Sequence, residues 1–64
     1  GVKRMEVYVV LKWVYDMEYN ETSFSCVECV CSDISKAKEY IDRDDEYLGD
    51  NRWGRYTFSV RTLC

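Results

Sequence analysis

The chain of 64 residues contains no histidine and no proline, and its three glycines are Gly1, Gly49 and Gly54. Without histidine it lacks the commonest general base and a frequent zinc ligand. The glycines are too few and too scattered to build a phosphate-binding loop. No apolar run approaches the ~20 residues of a transmembrane helix, and the N-terminus lacks the pattern of a signal peptide. These absences predict a soluble cytoplasmic protein that is not an enzyme and uses no cofactor.

The composition predicts one compact domain. Apolar residues make up 47% of the chain and aromatic residues 16%, which is too rich for a disordered segment. The length leaves room for a single domain over residues 1–64. Residues 1–4 precede Met5 and are interpreted either as the remnant of a tag or as genuine residues. The net charge of −3 offers no general attraction to nucleic acid or to anionic membranes.

Two strands are predicted in the first half. From Met5 to Tyr15, apolar residues alternate with a mixed set, as in a half-buried strand whose inner face carries Met5, Val7, Val9, Leu11, Trp13 and Tyr15. Residues 16–22 are polar and acidic, as in a hairpin loop. Residues 23–31 favour a second strand with either of two faces inward. We prefer the set with Ser25, Val27, Cys29 and Cys31, because Glu28 on the other set is costly to bury unpaired.

The second half predicts a helix and a third strand. Ser32 or Asp33 is a candidate N-cap for a helix that reaches Leu48, and Gly49 supplies the stop signal. A strand then begins at about Arg55. The predicted fold class is α+β, in the order β-β-α-β, with one helix on one face of a three-stranded antiparallel sheet of order 2-1-3.

Two surfaces are candidates for protein binding. The predicted outer face of the sheet is unusually apolar for a face in contact with water. Its candidate binding residues are Tyr8, Val10, Lys12, Val14, Phe24, Arg55 and Arg61. The alternative is an acidic patch at the end of the helix, read as a solvated surface, a docking site for a basic partner or a weak cation site. It comprises Asp42, Asp44, Asp45, Glu46 and Asp50.

The four cysteines are Cys26, Cys29, Cys31 and Cys64. Within a strand, Cys26 and Cys29 leave opposite faces, which a zinc knuckle does not tolerate. They are therefore predicted to be small buried hydrophobes in a reducing cytosol, with no metal bound. A zinc site that joins Cys64 to the others is the alternative.

The last strand is locally basic and aromatic. Arg52, Arg55 and Arg61 are interleaved with Trp53, Tyr56 and Phe58, a pattern found in nucleic-acid-binding proteins. Strand alternation, however, sends Tyr56 and Phe58 to the face opposite Arg55 and Arg61. Nucleic-acid binding is therefore the second hypothesis rather than the first.

Several short motifs resemble a family of small proteins of unknown function from bacteriophages, prophages and low-GC Gram-positive bacteria. They are Val7-Tyr8-Val9-Val10, Val30 with Ser32, and Lys36-Ala37 with Tyr40-Ile41. Cys31 stands where that family usually has an aromatic residue, and Ser35 where an acid would complete a capping box. The resemblance brings no catalytic residues and implies a phage or mobile-element context.

That context orders three hypotheses. The first is a small phage-type accessory protein that binds a host or phage protein in the host cytoplasm and modulates or inhibits it, as in anti-defence or host takeover. The second is a nucleic-acid-binding regulator that uses the basic last strand. The third is a structural homodimer module.

Overall fold

A computed structural model describes residues 4–43 and 45–63. In chain order the elements are β1 (Met5–Asp16), β2 (Glu21–Cys31), α1 (Ile34–Ile41), β3 (Glu46–Gly49) and β4 (Arg52–Leu63). The strands form one antiparallel sheet of order β2-β1-β4-β3, curled into a half-barrel. The prediction of a three-stranded sheet is wrong, because β3 adds a fourth strand beside β4.

The centre of the sheet is a long ladder between β1 and β4. Twelve residues of each strand pair without interruption, from Met5 opposite Leu63 to Asp16 opposite Arg52. The β1–β2 ladder is less regular, because its register shifts between Val10 and Leu11 and again between Lys12 and Trp13. Such β-bulges bend a strand and increase its local twist, which suits a curled sheet.

The bulges change which side chains of β2 share a face. Cys29 pairs with Val10 while Val27 pairs with Leu11, so Cys29 and Val27 lie on opposite faces of the sheet. Neither of the two alternating sets predicted for this strand is therefore correct over its whole length.

The helix is shorter than predicted. Asp33 is confirmed as the N-cap, since its Oδ1 accepts hydrogen bonds from the backbone N–H of Ser35 at 2.9 Å and from the Ser35 hydroxyl at 2.6 Å. The helix ends at Ile41, with Asp42 as C-cap, and does not reach Leu48. Aspartate is a poor helix former, and carboxylates oppose the negative end of the helix dipole. The acidic run after Ile41 therefore ends the helix.

The residues read as a helix stop form a hairpin turn instead. Gly49 pairs with Arg52, which leaves Asp50 and Asn51 as a two-residue loop with φ values of 52° and 59°. Positive φ at both central residues defines the type I′ turn, which matches the twist of paired strands. Gly49 also has a positive φ of 93°. The Gly-Asp-Asn sequence therefore closes the β3–β4 hairpin.

The helix packs on the face of the sheet that was predicted to lie in water. The Tyr40 ring of α1 contacts the Tyr56 ring at 5.6 Å between centroids, and Tyr56 pairs with Lys12. By alternation Tyr8, Val10 and Val14 lie on this helix side as well. Val10 and Ala37 are fully buried, and a Cβ at Gly54 would lie 3.4 Å from Lys12 Cε. The predicted inner face of β1 is therefore the one opposite the helix.

The fold buries very little. Among the described residues, the buried apolar side chains are Val7, Val10 and Ala37. The chain measures 52 × 18 × 12 Å, and its radius of gyration is 14.2 Å, against about 11 Å for a compact chain of this length. Its accessible surface is 4994 Å², whereas a folded monomer of 7.7 kDa exposes about 4,300 Å². Nor does the described part contain a helix long and apolar enough to cross a membrane.

Asn51→Val should destabilise the β3–β4 hairpin. A β-branched residue in the left-handed region costs about 1–2 kcal/mol, and Asn51 has a φ of 59°. Urea denaturation followed by circular dichroism measures the loss of stability. Asn51→Gly is the matched control and should retain the stability of the parent chain. Equal stability of the valine variant and the parent would show that the turn is not of this type.

Asp33→Ala should lower the urea midpoint at neutral pH, because it removes both hydrogen bonds of the cap. Hydrogen bonds from the Ser35 side chain and then from its backbone hold the pKa of Asp33 below its usual range. The carboxylate therefore stabilises the fold above about pH 4, and this contribution is lost as the pH falls through the lowered pKa. The difference in midpoint should shrink on acidification. Ser32→Ala leaves the cap carboxylate in place and should behave like the parent.

Candidate protein-binding surface

The face of the sheet opposite the helix is here called the uncovered face. Within the described ranges, α1 contacts β1, β2 and β4 on one side, and no element packs on the other. Alternation and pairing place seventeen residues on the uncovered face. They are Met5, Val7, Val9, Leu11, Trp13, Tyr15, Thr22, Phe24, Val27, Val30, Tyr47, Trp53, Arg55, Thr57, Ser59, Arg61 and Leu63.

The predicted binding residues are divided between the two faces. Tyr8, Val10, Lys12 and Val14 lie on the helix side, where Val10 is fully buried and Tyr8 packs against Phe58 with ring centroids 6.0 Å apart. The remaining three, Phe24, Arg55 and Arg61, lie on the uncovered face. The prediction of one exposed patch formed by all seven is wrong, because the helix covers the face that carries the first four.

Aromatic side chains concentrate at one end of the uncovered face. Trp13 meets Phe24 edge-on with centroids 5.5 Å apart, and Tyr47 lies 4.9 Å from Trp53. Trp53 pairs directly with Tyr15, so these rings extend across all four strands. The resulting cluster is called the aromatic end and consists of Trp13, Tyr15, Phe24, Tyr47, Trp53 and Arg55.

Arg55 links the aromatic end to the acidic residues beside it. Its guanidinium lies over the Tyr15 ring, 4.8 Å from the centroid, and its Nε donates to Asp45 Oδ2 at 3.0 Å. Both partners are about half exposed, so the ion pair orients the arginine more than it stabilises the fold. The stacked, paired arginine is already held in position for a contact.

Trp13 is also held in position. Its indole Nε1 donates to the Thr57 hydroxyl at 2.7 Å, across from β1 to β4. The bond satisfies the one polar group of the ring, so the rest of the side chain presents apolar surface. Large side chains with few rotamers lose little entropy when a partner binds.

Several carboxylates of the acidic patch already have partners within the chain. Asp45 pairs with Arg55, Asp50 lies 3.5 Å from Arg52, and Glu46 accepts a hydrogen bond from the Tyr56 hydroxyl at 3.3 Å. Asp42 caps the helix. Asp44, the remaining member, lies outside the described residues. Of the described members, Asp45, Glu46 and Asp50 therefore have partners for their carboxylates, whereas Asp42 caps the helix through its backbone N–H.

The other end of the uncovered face is aliphatic and open. Val30 of β2 is 60% exposed there, and Met5 and Leu63, which pair with each other, are 58% and 52% exposed. Val27, which pairs with Leu11 at the middle of the face, is 52% exposed. Single exposed hydrophobes are ordinary, but a contiguous apolar patch on a small protein marks an interaction site.

The cysteines are not buried as predicted. Cys26 is exposed, Cys29 and Cys31 are half-buried, and all three are free thiols. Cys26 pairs with Lys12 and Cys29 with Val10, so both lie on the helix side, and the prediction that they leave opposite faces is wrong because a β-bulge separates them. Cys31 lies on the same side, where its thiol donates to the backbone oxygen of Tyr8 at 3.7 Å. Desolvation and the neighbouring Cys29 raise the pKa of Cys31. Cys64 lies outside the described residues, as does any zinc site that includes it, and no three acidic or thiol groups converge among the rest.

Two tyrosines on the helix side lie in a polar cluster that sequence reasoning missed. The pKa of Tyr40 is raised, first by its hydrogen bond with the Cys29 side chain. The pKa of Tyr56 is also raised, first by desolvation and then by the Glu46 carboxylate that accepts its hydroxyl. Cys29, Glu46 and Tyr56 each appeared in the sequence in a different context, and only the pairing of β2, β3 and β4 brings them together with Tyr40.

Comparison of the chain with protein-family models, with curated proteins and with solved structures finds no match in any of the three. The resemblance to small phage and Gram-positive bacterial proteins therefore stays a prediction. The candidate surface rests on its own geometry.

The raised pKa values of Tyr40 and Tyr56 predict a loss of stability at high pH. The folded chain holds these protons more tightly than the unfolded chain does, so stability should decline as the pH rises above about 10. Glu46→Gln removes a negative charge beside Tyr56 and should lower its pKa. Titration of tyrosinate absorbance measures the pKa of the tyrosines, and urea denaturation at increasing pH measures the loss of stability. Glu18→Gln, in the β1–β2 turn, is the control and should leave the titration unchanged.

Proposed function

We propose that this chain is a non-catalytic accessory protein that binds another protein through the uncovered face of its sheet and modulates or inhibits it. The observation that carries the proposal is a contiguous apolar face, with an ordered aromatic end, on a chain that buries three apolar side chains among its described residues. The phage or mobile-element setting and the host cytoplasm as its place of action follow from the resemblance alone.

The residue types of the aromatic end suit protein recognition. Tryptophan, tyrosine and arginine are the residues that most often dominate the energetics of protein interfaces. Here Trp13 is fixed by Thr57, and Arg55 is fixed by Tyr15 and Asp45. Groups that are already ordered lose little conformational freedom on binding, which favours affinity.

The chemistry of the face defines the expected partner. Most of the surface is aliphatic or aromatic, and Arg61 is an exposed cation toward the aliphatic end. The partner should therefore present an apolar patch with a carboxylate that can meet Arg61. Such a patch would bury the aliphatic end as well as the aromatic end.

Two observations favour a protein over nucleic acid as the partner. Tyr56 and Phe58 lie on the helix side, away from Arg55 and Arg61. Arg52 and Arg55 have carboxylates within 4 Å, which offsets their attraction for phosphate. A stacking platform for single-stranded nucleic acid combines free ring faces with unpaired positive charge, and the rings here pack against one another.

Capture from bacterial lysate with matched variants tests the proposal. The immobilised chain is exposed to lysate of a low-GC Gram-positive host, with and without nuclease, and retained proteins are identified by mass spectrometry. A partner held by the aromatic end should be retained after nuclease. Phe24→Ala and Tyr47→Ala should each weaken its binding about 10-fold or more, as expected for interface anchors.

Tyr19→Ala is the matched control for this experiment. Tyr19 is 70% exposed, more than Tyr47 at 56%, but it lies in the β1–β2 turn and not on the uncovered face. The control should bind like the parent chain. Retention that Tyr19→Ala and Tyr47→Ala reduce equally would contradict the proposed surface, and retention that nuclease abolishes would indicate nucleic acid instead.

A further inference from the structure

The chain exposes more surface than an ordinary folded monomer of its mass. The accessible surface of 4994 Å² exceeds by roughly 700 Å² the value of about 4,300 Å² normal for a folded monomer of this mass. A specific interface buries about 800 Å² of each partner. Covering one such area would bring the chain to about 4,200 Å², the exposure of an ordinary folded protein of its size.

The projected area of the uncovered face comes close to that excess. Its central strands are twelve residues long, which corresponds to about 40 Å at the rise of a β-strand. Four strands at a spacing of about 4.8 Å give a width near 20 Å at the end where all four pair. Because β2 pairs with β1 from Tyr8 onward and β3 has four residues, the face narrows to two strands at its other end, and its flat projection is about 600 Å². Two such faces can stack about 10 Å apart, as in a β-sandwich.

The face is also compatible with a copy of itself. Of its seventeen residues, Arg55 and Arg61 carry a charge, and Arg55 is neutralised by Asp45 at 3.0 Å. Arg61 and the aromatic end lie at opposite ends of β4. If the two-fold axis lies in the interface and crosses the strands at right angles, the Arg61 end of each copy meets the aromatic end of the other.

That arrangement places the positive charge of each copy beside groups that stabilise it. Each Arg61 would approach the partner's aromatic rings and the carboxylate beside them, an environment that stabilises a guanidinium. The axis would pass near the middle of the ladder, at Leu11, which pairs with Thr57 on one side and with Val27 on the other. These central residues carry no charge, so no like charges meet where the two copies are closest.

We infer that a second copy of this chain covers the uncovered face, in a two-fold dimer whose sheets stack face to face with strands reversed. The inference rests on the proposed function in that it names what occupies the binding surface when the target is absent. In this dimer the aromatic end is hidden, so a target protein and the second copy compete for the same face.

Sedimentation equilibrium of the purified chain tests the inference. The expected mass is twice 7.7 kDa, which is 15.4 kDa. Val27→Glu places two carboxylates near the two-fold axis, one from each copy. Because every substitution occurs twice in such a dimer, self-association should weaken about 100-fold. Val27 is 52% exposed, so the change should not disturb the folded chain.

Val60→Glu is the matched control. Val60 is also an exposed valine in a strand, at 49%, but it pairs with Tyr8 on the helix side. The Val60→Glu variant should dimerise like the parent, and circular dichroism should show the same fold for Val60→Glu and Val27→Glu. A parent chain that is monomeric at about 100 µM, or a loss of association that is equal in both variants, would overturn the dimer.

The dimer and the proposed function fail separately. Sedimentation uses the purified chain alone, whereas target binding is read by the loss of a captured protein in Phe24→Ala. A monomeric parent whose captured protein is lost in Phe24→Ala would overturn the dimer and leave the function standing. A dimeric parent whose captured proteins are unaffected by Phe24→Ala would overturn the proposed function and leave the dimer standing.

Discussion

The long antiparallel ladder between β1 and β4 is the feature on which the rest of the structure depends. It joins the two ends of the chain through twelve consecutive residue pairs, from Met5 with Leu63 to Asp16 with Arg52. The hairpin partners β2 and β3 are added outside it, and the helix is the connection between them. Contacts so distant in sequence close a large loop, and the paired side chains must offset the entropy lost in closing it.

One short helix cannot cover so long a sheet. Eight residues rising 1.5 Å each extend about 12 Å, while the chain measures 52 Å in its longest dimension. The helix therefore buries Val10 and Ala37 at one position and leaves the rest of its own side half-buried or exposed. On the opposite side no helix or strand of the described residues packs, and Val7 is the one apolar side chain there that its neighbours in the sheet bury. This mismatch between a long sheet and a short helix makes the uncovered face the chemically prominent part of the molecule.

Local patterns predicted the early elements well. The alternation from Met5 to Tyr15 marked β1, and the Asp33 side chain capped the helix at the position that its sequence suggested. The end of the helix was misjudged because Leu48 follows Ile34, Ala37 and Ile41 at a spacing that one helical face can share. The aspartates before Leu48 disfavour a helix. For the same reason β3 was not predicted, because its residues were assigned to the helix and to the helix stop. Its turn residues, Asp50 and Asn51, tolerate positive φ and were equally consistent with a helix end and a type I′ hairpin.

The order of residue types is enough to show that the first strand has one wholly apolar face, and that arginines are interleaved with aromatic residues along the last strand. Which face the helix covers follows from the packing of α1 in the folded chain. Alternation assigns the residues of a strand to two faces but does not show which face is buried. An apolar face is usually taken to be the buried one. Here the helix lies against the mixed face that carries Val10 and Lys12, and on this face Gly54 leaves room for the side chains of Lys12 and Leu48. The clean apolar face is left outside because one helix can cover one side of a sheet.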